Sequence, residues 1–356
     1  MGRFVIAQIE IRGLWEGSMI VEMRRGATQE QIDAVVARAR KHGFEVQLNI
    51  GTDKVVVAIL GSDTGGTPTE TFEVLPGVEA VTRIMRPYKL ASREFKDEPT
   101  LVRVGDVVVG GPQIVVMAGP CSVESHEQLL ATARHVTRVG ARIVRGGAFK
   151  PRTSPFSFQG LGEEGLHLLK QIKEEVGVPV VTEITDPHYL DLFSEHVDLL
   201  QIGARNMQSY GLLRAVGQSG KPCILKRGLS ATVTEWLQAA DHVLAAGSAQ
   251  VILCERGIRT FESSTRFTLD ISSIGVVKHN SHLPIIVDPS HAAGHYELVP
   301  TLARAAIAAG ADGLLIEVHP DPVNALSDGL QSLTFSDFER LMGQLKAIAA
   351  AVGRSI

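Results

Sequence analysis

The sequence predicts an α/β protein, a (β/α)8 TIM barrel preceded by a small ferredoxin-like domain of βαββαβ order. Two observations support this: eight Val/Ile/Leu-rich runs separated by stretches with helical signals, and a shorter strand–helix pattern ahead of them. Continuous apolar runs are typical of parallel strands buried on both faces, and eight βα units in about 240 residues suit a closed barrel. A doubly wound open sheet is the alternative, but no G-x-G-x-x-G motif follows a first strand.

The eight apolar runs define the strands of the predicted barrel. They are residues 113–119, 141–146, 178–183, 197–203, 222–227, 249–255, 284–289 and 313–318. Helical segments between them begin at capping residues such as Ser125 and end at glycines such as Gly310. A further segment, 101–111, is expected to form a hairpin that closes the N-terminal end of the barrel.

The small domain follows from alternating strand and helix signals near the N-terminus. Its predicted elements are strand 19–23, a helix from Thr28 to His42, strands 44–49 and 54–59, a short helix near 67–75, and strand 78–85. Composition leaves open whether this domain serves stability and oligomerisation or binds an effector. We therefore expect a disordered extension (1–18), the small domain (19–86), a linker with the hairpin (87–112) and the barrel (113–356).

Composition excludes several classes of protein. The 356 residues include 39 acidic and 35 basic side chains, a formal net charge of −4 that does not suggest a nucleic-acid-coating surface. Three cysteines cannot build a disulfide framework, so a cytoplasmic protein is expected. No apolar run has the length of a membrane span, and charges within the first 18 residues interrupt any signal-peptide core.

Basic side chains follow four of the predicted strands at their carboxyl ends, where the active site of such a barrel lies. They are Arg145, Lys150 and Arg152 after the second strand, Arg205 after the fourth, Lys226 and Arg227 after the fifth, and Arg256 after the sixth. A single Lys or Arg is more often a solvated surface charge, but random surface charge would not select four strand ends. The pattern predicts a small, strongly anionic ligand with phosphate and carboxylate groups.

A second group of strand-end residues has the chemistry of metal ligands. Cys121, His291, Glu317 and Asp328 offer a thiolate, an imidazole and two carboxylates, a set that suits a divalent metal of intermediate softness. Each residue alone has a simpler interpretation, as a buried small side chain or a helix cap. Their convergence on neighbouring strand ends favours a metal site, and His319 nearby is interpreted as a proton-transfer residue or a metal neighbour.

Seven motifs resemble those of 3-deoxy-D-arabino-heptulosonate 7-phosphate (DAHP) synthase. They are AGPCSVES (118–125), RGGAFKPRTSP (145–155), GARNMQ (203–208), LKRG (225–228), CERGIRTFE (254–262), DPSHAAG (288–294) and EVHPDPVNALSDGLQSL (317–333). The resemblance spans 90–350 in order, and 19–86 is similar to the regulatory ferredoxin-like domain of one subgroup. The alternative is 3-deoxy-D-manno-octulosonate 8-phosphate synthase, which shares the barrel and metal ligands. That family has an Asn-containing segment in place of KPRTS and lacks the N-terminal domain.

The resemblance implies a metal-dependent, aldol-like condensation of phosphoenolpyruvate with D-erythrose 4-phosphate, the first step of the shikimate pathway. It assigns the phosphoenolpyruvate carboxylate to Arg145, Lys150 and Lys226, its phosphate to Arg205, Arg256, Lys226 and the Ala204 N–H, and the erythrose 4-phosphate phosphate to Arg152 and Thr153. The metal at Cys121, His291, Glu317 and Asp328 is expected to be Mn²⁺, with Fe²⁺, Co²⁺, Zn²⁺ and Cu²⁺ as alternatives.

Two acid–base roles combine strand-end placement with the family pattern. Lys150 is expected to protonate the new hydroxyl, and Glu183 to position or deprotonate the attacking water. The family also implies feedback inhibition by an aromatic amino acid through 19–86 and a homo-oligomer, commonly a tetramer. A third hypothesis, a barrel retained as a non-enzymatic binder of aromatic ligands, is disfavoured because every catalytic and metal position holds a competent residue type.

Overall fold

The computed structural model describes residues 18–50, 54–61, 64, 67–84, 87–152, 154 and 156–356. They form two compact units, which divide between Asp97 and Glu98. The predicted disordered extension, 1–18, lies outside the described residues except for its last residue, Ser18, where the first strand begins.

The first unit contains an antiparallel sheet of four strands in the order β2-β3-β1-β4. Its elements are β1 (Ser18–Met23), α1 (Gln29–Lys41), β2 (Glu45–Ile50), β3 (Val55–Leu60), α2 (Glu70–Glu73) and β4 (Val78–Ile84). This succession and strand order are those of the ferredoxin-like βαββαβ fold, so the predicted fold class is confirmed for this unit.

Helix α1 shows how the sequence specifies this unit. Thr28 and Gln31 form a capping box, in which each side chain accepts a hydrogen bond from the other's backbone N–H. The inward face of the helix carries Ile32, Val35 and Ala39, which are buried in one apolar cluster with residues of the sheet. The small unit therefore has its own core and the local signals that begin its main helix.

The second unit contains a closed barrel of eight parallel strands, as the sequence predicts. The strands are β7 (Val115–Gly119), β8 (Ile143–Arg145), β9 (Val180–Ile184), β10 (Leu199–Ile202), β11 (Cys223–Lys226), β12 (Val251–Glu255), β13 (Ile285–Val287) and β14 (Gly313–Glu317). Each lies inside its predicted apolar run or extends one residue beyond it.

Helices follow the strands around the barrel. They are α3 (His126–Val139), α4 (Glu163–Val176), α5 (Leu190–His196), α6 (Tyr210–Gln218), α7 (Val233–Ala245), α8 (Ser272–Asn280), α9 (Pro289–Ala293), α10 (Val299–Ala308) and α11 (Phe335–Ala351). Within the described ranges, none of the helices combines the length and apolar character needed to cross a bilayer.

A hairpin precedes the barrel, formed by β5 (Val102–Val104) and β6 (Val107–Val109). Four of its valines, the first and last of each strand, are buried in the same apolar cluster as side chains of the barrel interior, including Ile224 and Leu315. The Arg103 N–H donates to the side chain of Gln250, which precedes β12. The hairpin therefore lies at the N-terminal end of the strands, and the opposite rim carries the functional loops.

Close strand packing predicts an asymmetric response to two glycine substitutions. A Cβ added at Gly313 would lie 2.3 Å from the backbone oxygen of Val115 in the paired strand, whereas one added at Gly275 in helix α8 would meet no atom within 4 Å. We expect Gly313→Ala to lower the free energy of unfolding by about 1–3 kcal/mol. Gly275→Ala, the control, should raise it by roughly 0.5–1 kcal/mol. Denaturant unfolding followed by circular dichroism tests this, and equal stability of the two variants would contradict it.

Candidate active site

The predicted functional residues gather at one rim of the barrel because all eight strands run in parallel. β8 ends at Arg145, β11 at Lys226 and β14 at Glu317, and Cys121 follows β7. The remaining described ones lie in β9 or in segments that follow a strand: Lys150, Arg152, Glu183, Ala204, Arg205, Arg256, His291, His319 and Asp328.

The predicted metal ligands come together at this rim. One ligand atom each of Cys121, Glu317 and Asp328 lies within 4.8 Å of the others, and the Cys121 Sγ is 3.5 Å from Asp328 Oδ2. The fourth predicted ligand, His291, places its Nε2 3.6 Å from Glu317 Oε1. Three of the predicted ligands therefore form one cluster, and the fourth, His291, adjoins it through Glu317.

The short helix α9 fixes His291 within this cluster. Asp288 caps the helix by accepting a hydrogen bond from the His291 N–H at 2.9 Å, and its second oxygen lies 2.7 Å from Nδ1 of the same imidazole. Ser290 in the same helix accepts a hydrogen bond from the Glu317 N–H at 3.0 Å. The cap thus holds the backbone of His291, and Nε2 of its ring faces Glu317, although Nδ1 makes no hydrogen bond among the described residues. The Ser290 contact ties the helix to the end of β14.

The protonation states of the cluster suit metal coordination. Although burial alone would raise it, surrounding basic side chains lower the pKa of Glu317 to about 2, and they also lower the pKa of Asp328. Burial lowers the pKa of His291, which favours the neutral imidazole. Burial raises the pKa of the Cys121 thiol to about 12, so this group would lose its proton on binding a metal.

Buried cations lie directly against the ligand cluster. Arg145 donates to Glu317 Oε1 at 2.6 Å, and the Lys150 Nζ lies 3.0 Å from both the backbone oxygen and the Sγ of Cys121. Burial would lower the pKa of Lys150, but the acidic groups of Cys121 and Glu317 outweigh it and raise the pKa. Lys226 is buried and donates to Asp288 Oδ2 at 2.6 Å. The rim therefore combines acidic ligands with permanent positive charge.

Arg256 is a buried cation with unused hydrogen-bonding capacity. Its side chain lies over the ring of Phe267, 4.1 Å from the centroid, and burial lowers its pKa. Among the residues the structure describes, its Nη1 has no hydrogen-bond partner. Arg205, exposed on the single turn 204–206 after β10, adds positive charge close enough to lower that pKa further. This arrangement suits a bound anion.

The KPRTS segment is described in part. Arg152 donates to the Ser327 hydroxyl at 2.5 Å and to Asp328 Oδ1 at 3.2 Å, so the structure brings it to the metal-ligand cluster. Thr153, predicted to bind the same phosphate, lies outside the described residues.

The two other acid–base candidates occupy different surroundings. Glu183 Oε2 accepts a hydrogen bond from Gln201 at 3.1 Å, and a Cβ added at Gly203 would lie 2.0 Å from its Oε1. The His319 Nδ1 accepts from the Asp321 N–H at 3.0 Å, so Nε2 carries the proton and faces Glu124 Oε2 at 3.3 Å. The contacts of His319 with Asp321 and Glu124 link two loops, and neither partner is a predicted metal ligand.

Several residues at the rim differ from the sequence-based interpretation. Arg227, grouped there with the strand-end cations, is instead engaged by Glu255 at 2.9 Å and Asp270 at 2.8 Å. Asp288, which precedes His291 in the DPSH motif, has no role predicted from the sequence, yet it contacts both His291 and Lys226. Gln331, in the long motif after β14, has no predicted role either, and it donates to Glu317 Oε2 at 2.7 Å.

Comparisons with known proteins agree with the site. Residues 94–352 match the model of the DAHP synthetase I family, and residues 19–86 match the DAHP synthase ferredoxin-like domain. A phospho-2-dehydro-3-deoxyheptonate aldolase of Thermotoga maritima is 47% identical over 94% of this chain and 99% of its own length. A 2-dehydro-3-deoxyphosphooctonate aldolase of Syntrophotalea carbinolica is 33% identical over 71% of this chain and 98% of its own.

Solved structures give the same result. The crystal structure of the Thermotoga maritima DAHP synthase aligns with a TM-score of 0.76 and 46% identity, covering 96% of this chain and 99% of that one. A truncated form of the Thermotoga maritima enzyme aligns at 0.71 and 46% identity, covering 75% and 98%. With both domains matched in order and the motif residues gathered at one rim, the chain belongs to the DAHP synthase family of transferases.

Proposed function

We propose that the protein condenses phosphoenolpyruvate with D-erythrose 4-phosphate and water to give DAHP and phosphate, the first step of the shikimate pathway. This proposal is based on the direct contact between the predicted metal ligands and buried basic side chains. Lys150 lies 3.0 Å from the Cys121 sulfur, and Arg145 lies 2.6 Å from Glu317. A substrate with phosphate and carboxylate groups could therefore bind the basic side chains and lie next to the proposed Lewis-acid metal at the same time.

One divalent metal ion would be held by Cys121, His291, Glu317 and Asp328, with Mn²⁺ as the expected ion. The donors fit, because two carboxylates with lowered pKa values, a neutral imidazole and a displaceable thiol proton form a mixed soft and hard set. Fe²⁺, Co²⁺, Zn²⁺ and Cu²⁺ suit the same donors. When bound, the ion supplies Lewis-acid polarisation of the aldehyde oxygen.

The cations divide between the two substrates. We assign the phosphoenolpyruvate carboxylate to Arg145, Lys150 and Lys226, and its phosphate to Arg205, Arg256, Lys226 and the Ala204 N–H. The unpartnered Nη1 of buried Arg256 supports the phosphate assignment, because a phosphate oxygen would satisfy it. The phosphate of erythrose 4-phosphate is assigned to Arg152 and Thr153.

The reaction needs the protein to deliver one proton and to remove one. C3 of phosphoenolpyruvate attacks the aldehyde carbon, and Lys150 donates a proton to the resulting alkoxide, which becomes the new hydroxyl. Water adds at C2 and loses a proton to Glu183, whose carboxylate is oriented by Gln201. The C2–O bond to phosphate then breaks while the C2 hydroxyl loses its remaining proton to the departing phosphate, and the keto acid and phosphate are released. His319 keeps its predicted role as a proton-transfer residue or a metal neighbour, and its contacts with Asp321 and Glu124 do not distinguish the two.

A substrate comparison separates this proposal from the octulosonate alternative. We expect phosphate release from phosphoenolpyruvate with erythrose 4-phosphate, loss of activity with EDTA and recovery with Mn²⁺. The 47% identity to the heptonate enzyme, over almost the whole chain, favours this substrate over arabinose 5-phosphate. Turnover with arabinose 5-phosphate alone would transfer the protein to the alternative, and no turnover with either sugar and metal present would leave a binding protein.

Acid–base roles predict a loss of chemistry without a loss of fold. Lys150→Met and Glu183→Gln should each lower the single-turnover rate by roughly 10²–10⁴-fold, the range for a positioned proton-transfer group. Lys170→Met and Glu164→Gln, which remove exposed charges on α4, are the matched controls and should retain the wild-type rate. Rapid-quench measurement at saturating substrate tests this, and a variant that keeps single-turnover chemistry eliminates the role of that residue.

Feedback regulation would require the small domain. We expect an aromatic amino acid, tyrosine or phenylalanine, to inhibit the full chain, with a later pathway intermediate as the alternative effector, and deletion of 1–86 to abolish inhibition while condensation continues. The separate core of the small unit and the solved truncated Thermotoga maritima relative support this design. Steady-state assays with each amino acid provide the measurement, and inhibition that survives the deletion would contradict the prediction.

A further inference from the structure

The loop between β12 and α8 lies at the same rim of the barrel as the predicted metal ligands. It contacts helix α9, which carries His291, and it also contacts Asp328. Ile258 and Thr268 exchange two backbone hydrogen bonds of 2.9 Å, which close the base of this loop. The N–H groups of Arg266 and Phe267 then donate to carbonyls in α9, at 3.1 and 2.9 Å. Since α9 carries His291, the loop is anchored directly to the element that presents one proposed ligand.

Gln331 connects this loop to Glu317. Its buried side chain donates from Nε2 to Glu317 Oε2 at 2.7 Å and accepts at Oε1 from Arg266 at 2.9 Å. A carboxylate only accepts and a guanidinium only donates, so a bridge between them needs one donor and one acceptor. The amide of glutamine supplies both, and its orientation is fixed by its two partners.

The same arginine reaches a second proposed ligand. Arg266 Nη1 lies 3.6 Å from Asp328 Oδ2. Asp328 has a left-handed backbone conformation, with φ of 47°, and its carbonyl accepts from the Gln331 N–H at 3.2 Å. Non-glycine residues in this conformation persist where their surroundings hold them. Arg266 and Gln331 thus contact Asp328 through both its side chain and its backbone.

We propose that Arg266 and Gln331 form a positioning relay that holds Glu317 and Asp328 in register for the metal. The inference rests on the proposed metal-dependent function and adds two residues outside its ligand set. Arg145 contacts the other oxygen of Glu317 but is also assigned to the substrate carboxylate. No substrate group is assigned to Gln331, so its hydrogen bond to Glu317 would serve the orientation of that carboxylate alone.

Metal affinity, measured apart from turnover, tests the relay. The EDTA-stripped full chain is titrated with MnCl₂ by calorimetry, for wild type, Gln331→Met, Arg266→Met and the double variant. Partners that orient metal ligands typically contribute 10–100-fold, so we expect Gln331→Met to weaken Mn²⁺ binding by roughly that factor. The double variant should lose less than the product of the single losses, because both residues act through one path.

Gln201→Met is the matched control. Gln201 is also buried and donates to a carboxylate at the rim, that of Glu183, which is outside the ligand set. The Gln201→Met protein should bind Mn²⁺ with an affinity within about twofold of wild type, because Glu183, the carboxylate that Gln201 contacts, does not coordinate the metal. Circular dichroism confirms folding, and the partly exposed Arg266 provides a variant that does not disturb the buried core.

Three results would overturn the relay. If folded Gln331→Met or Arg266→Met protein binds Mn²⁺ with wild-type affinity, these side chains contribute only to packing. Equal weakening in Gln201→Met attributes the effect to general damage at the rim. If the wild-type chain does not bind Mn²⁺, both the metal site and the relay are wrong. If the wild-type chain binds Mn²⁺ and turns over, but the variants bind Mn²⁺ equally well, only the relay is wrong.

Discussion

Buried ion pairs at the rim of the barrel constrain everything else in the site. Arg145 with Glu317, and Lys226 with Asp288, each bring nitrogen and oxygen to 2.6 Å, with side chains at most 6% exposed. An isolated charge in such surroundings carries a desolvation penalty of several kcal/mol, and each pair offsets this penalty for both of its members. The basic side chains around Glu317 also lower the pKa of that carboxyl to about 2, which suits a proposed metal ligand.

Arg256 departs from this pattern and is informative for that reason. It is buried, yet its Nη1 has no hydrogen-bond partner among the described residues. Its guanidinium lies over the face of the Phe267 ring, which attracts the positive charge but accepts no conventional hydrogen bond. Buried donors in folded proteins are nearly always satisfied, and the exceptions need an explanation. A phosphate group of the substrate would complete the hydrogen bonding of this guanidinium, which links an energetic deficit in the protein to its proposed ligand.

The apolar runs of the sequence predicted the barrel, and the residue types at the strand ends predicted the ligand cluster. Neither pattern could predict which side chains pair. Apolar runs locate strands because parallel strands are buried on both faces. Neighbouring residues on a strand point in opposite directions, so Lys226 joins the site while Arg227 turns to Glu255 and Asp270. The partners of Lys226 and Arg266 lie 62 and 65 residues away in sequence, beyond the reach of local patterns.

The proposed ligand set draws on two kinds of backbone, and this explains where additional support is needed. Glu317 ends a barrel strand, and its neighbours in the sheet fix its position. Asp328 lies eleven residues further along an irregular loop, in a backbone conformation that few non-glycine residues adopt. A loop cannot hold a carboxylate as precisely as a strand unless other contacts restrain it. The contacts from Arg266 and Gln331 meet this requirement, because they tie the loop to α9 and to Glu317. The precision of the proposed metal site would then depend on non-ligand side chains as much as on the barrel.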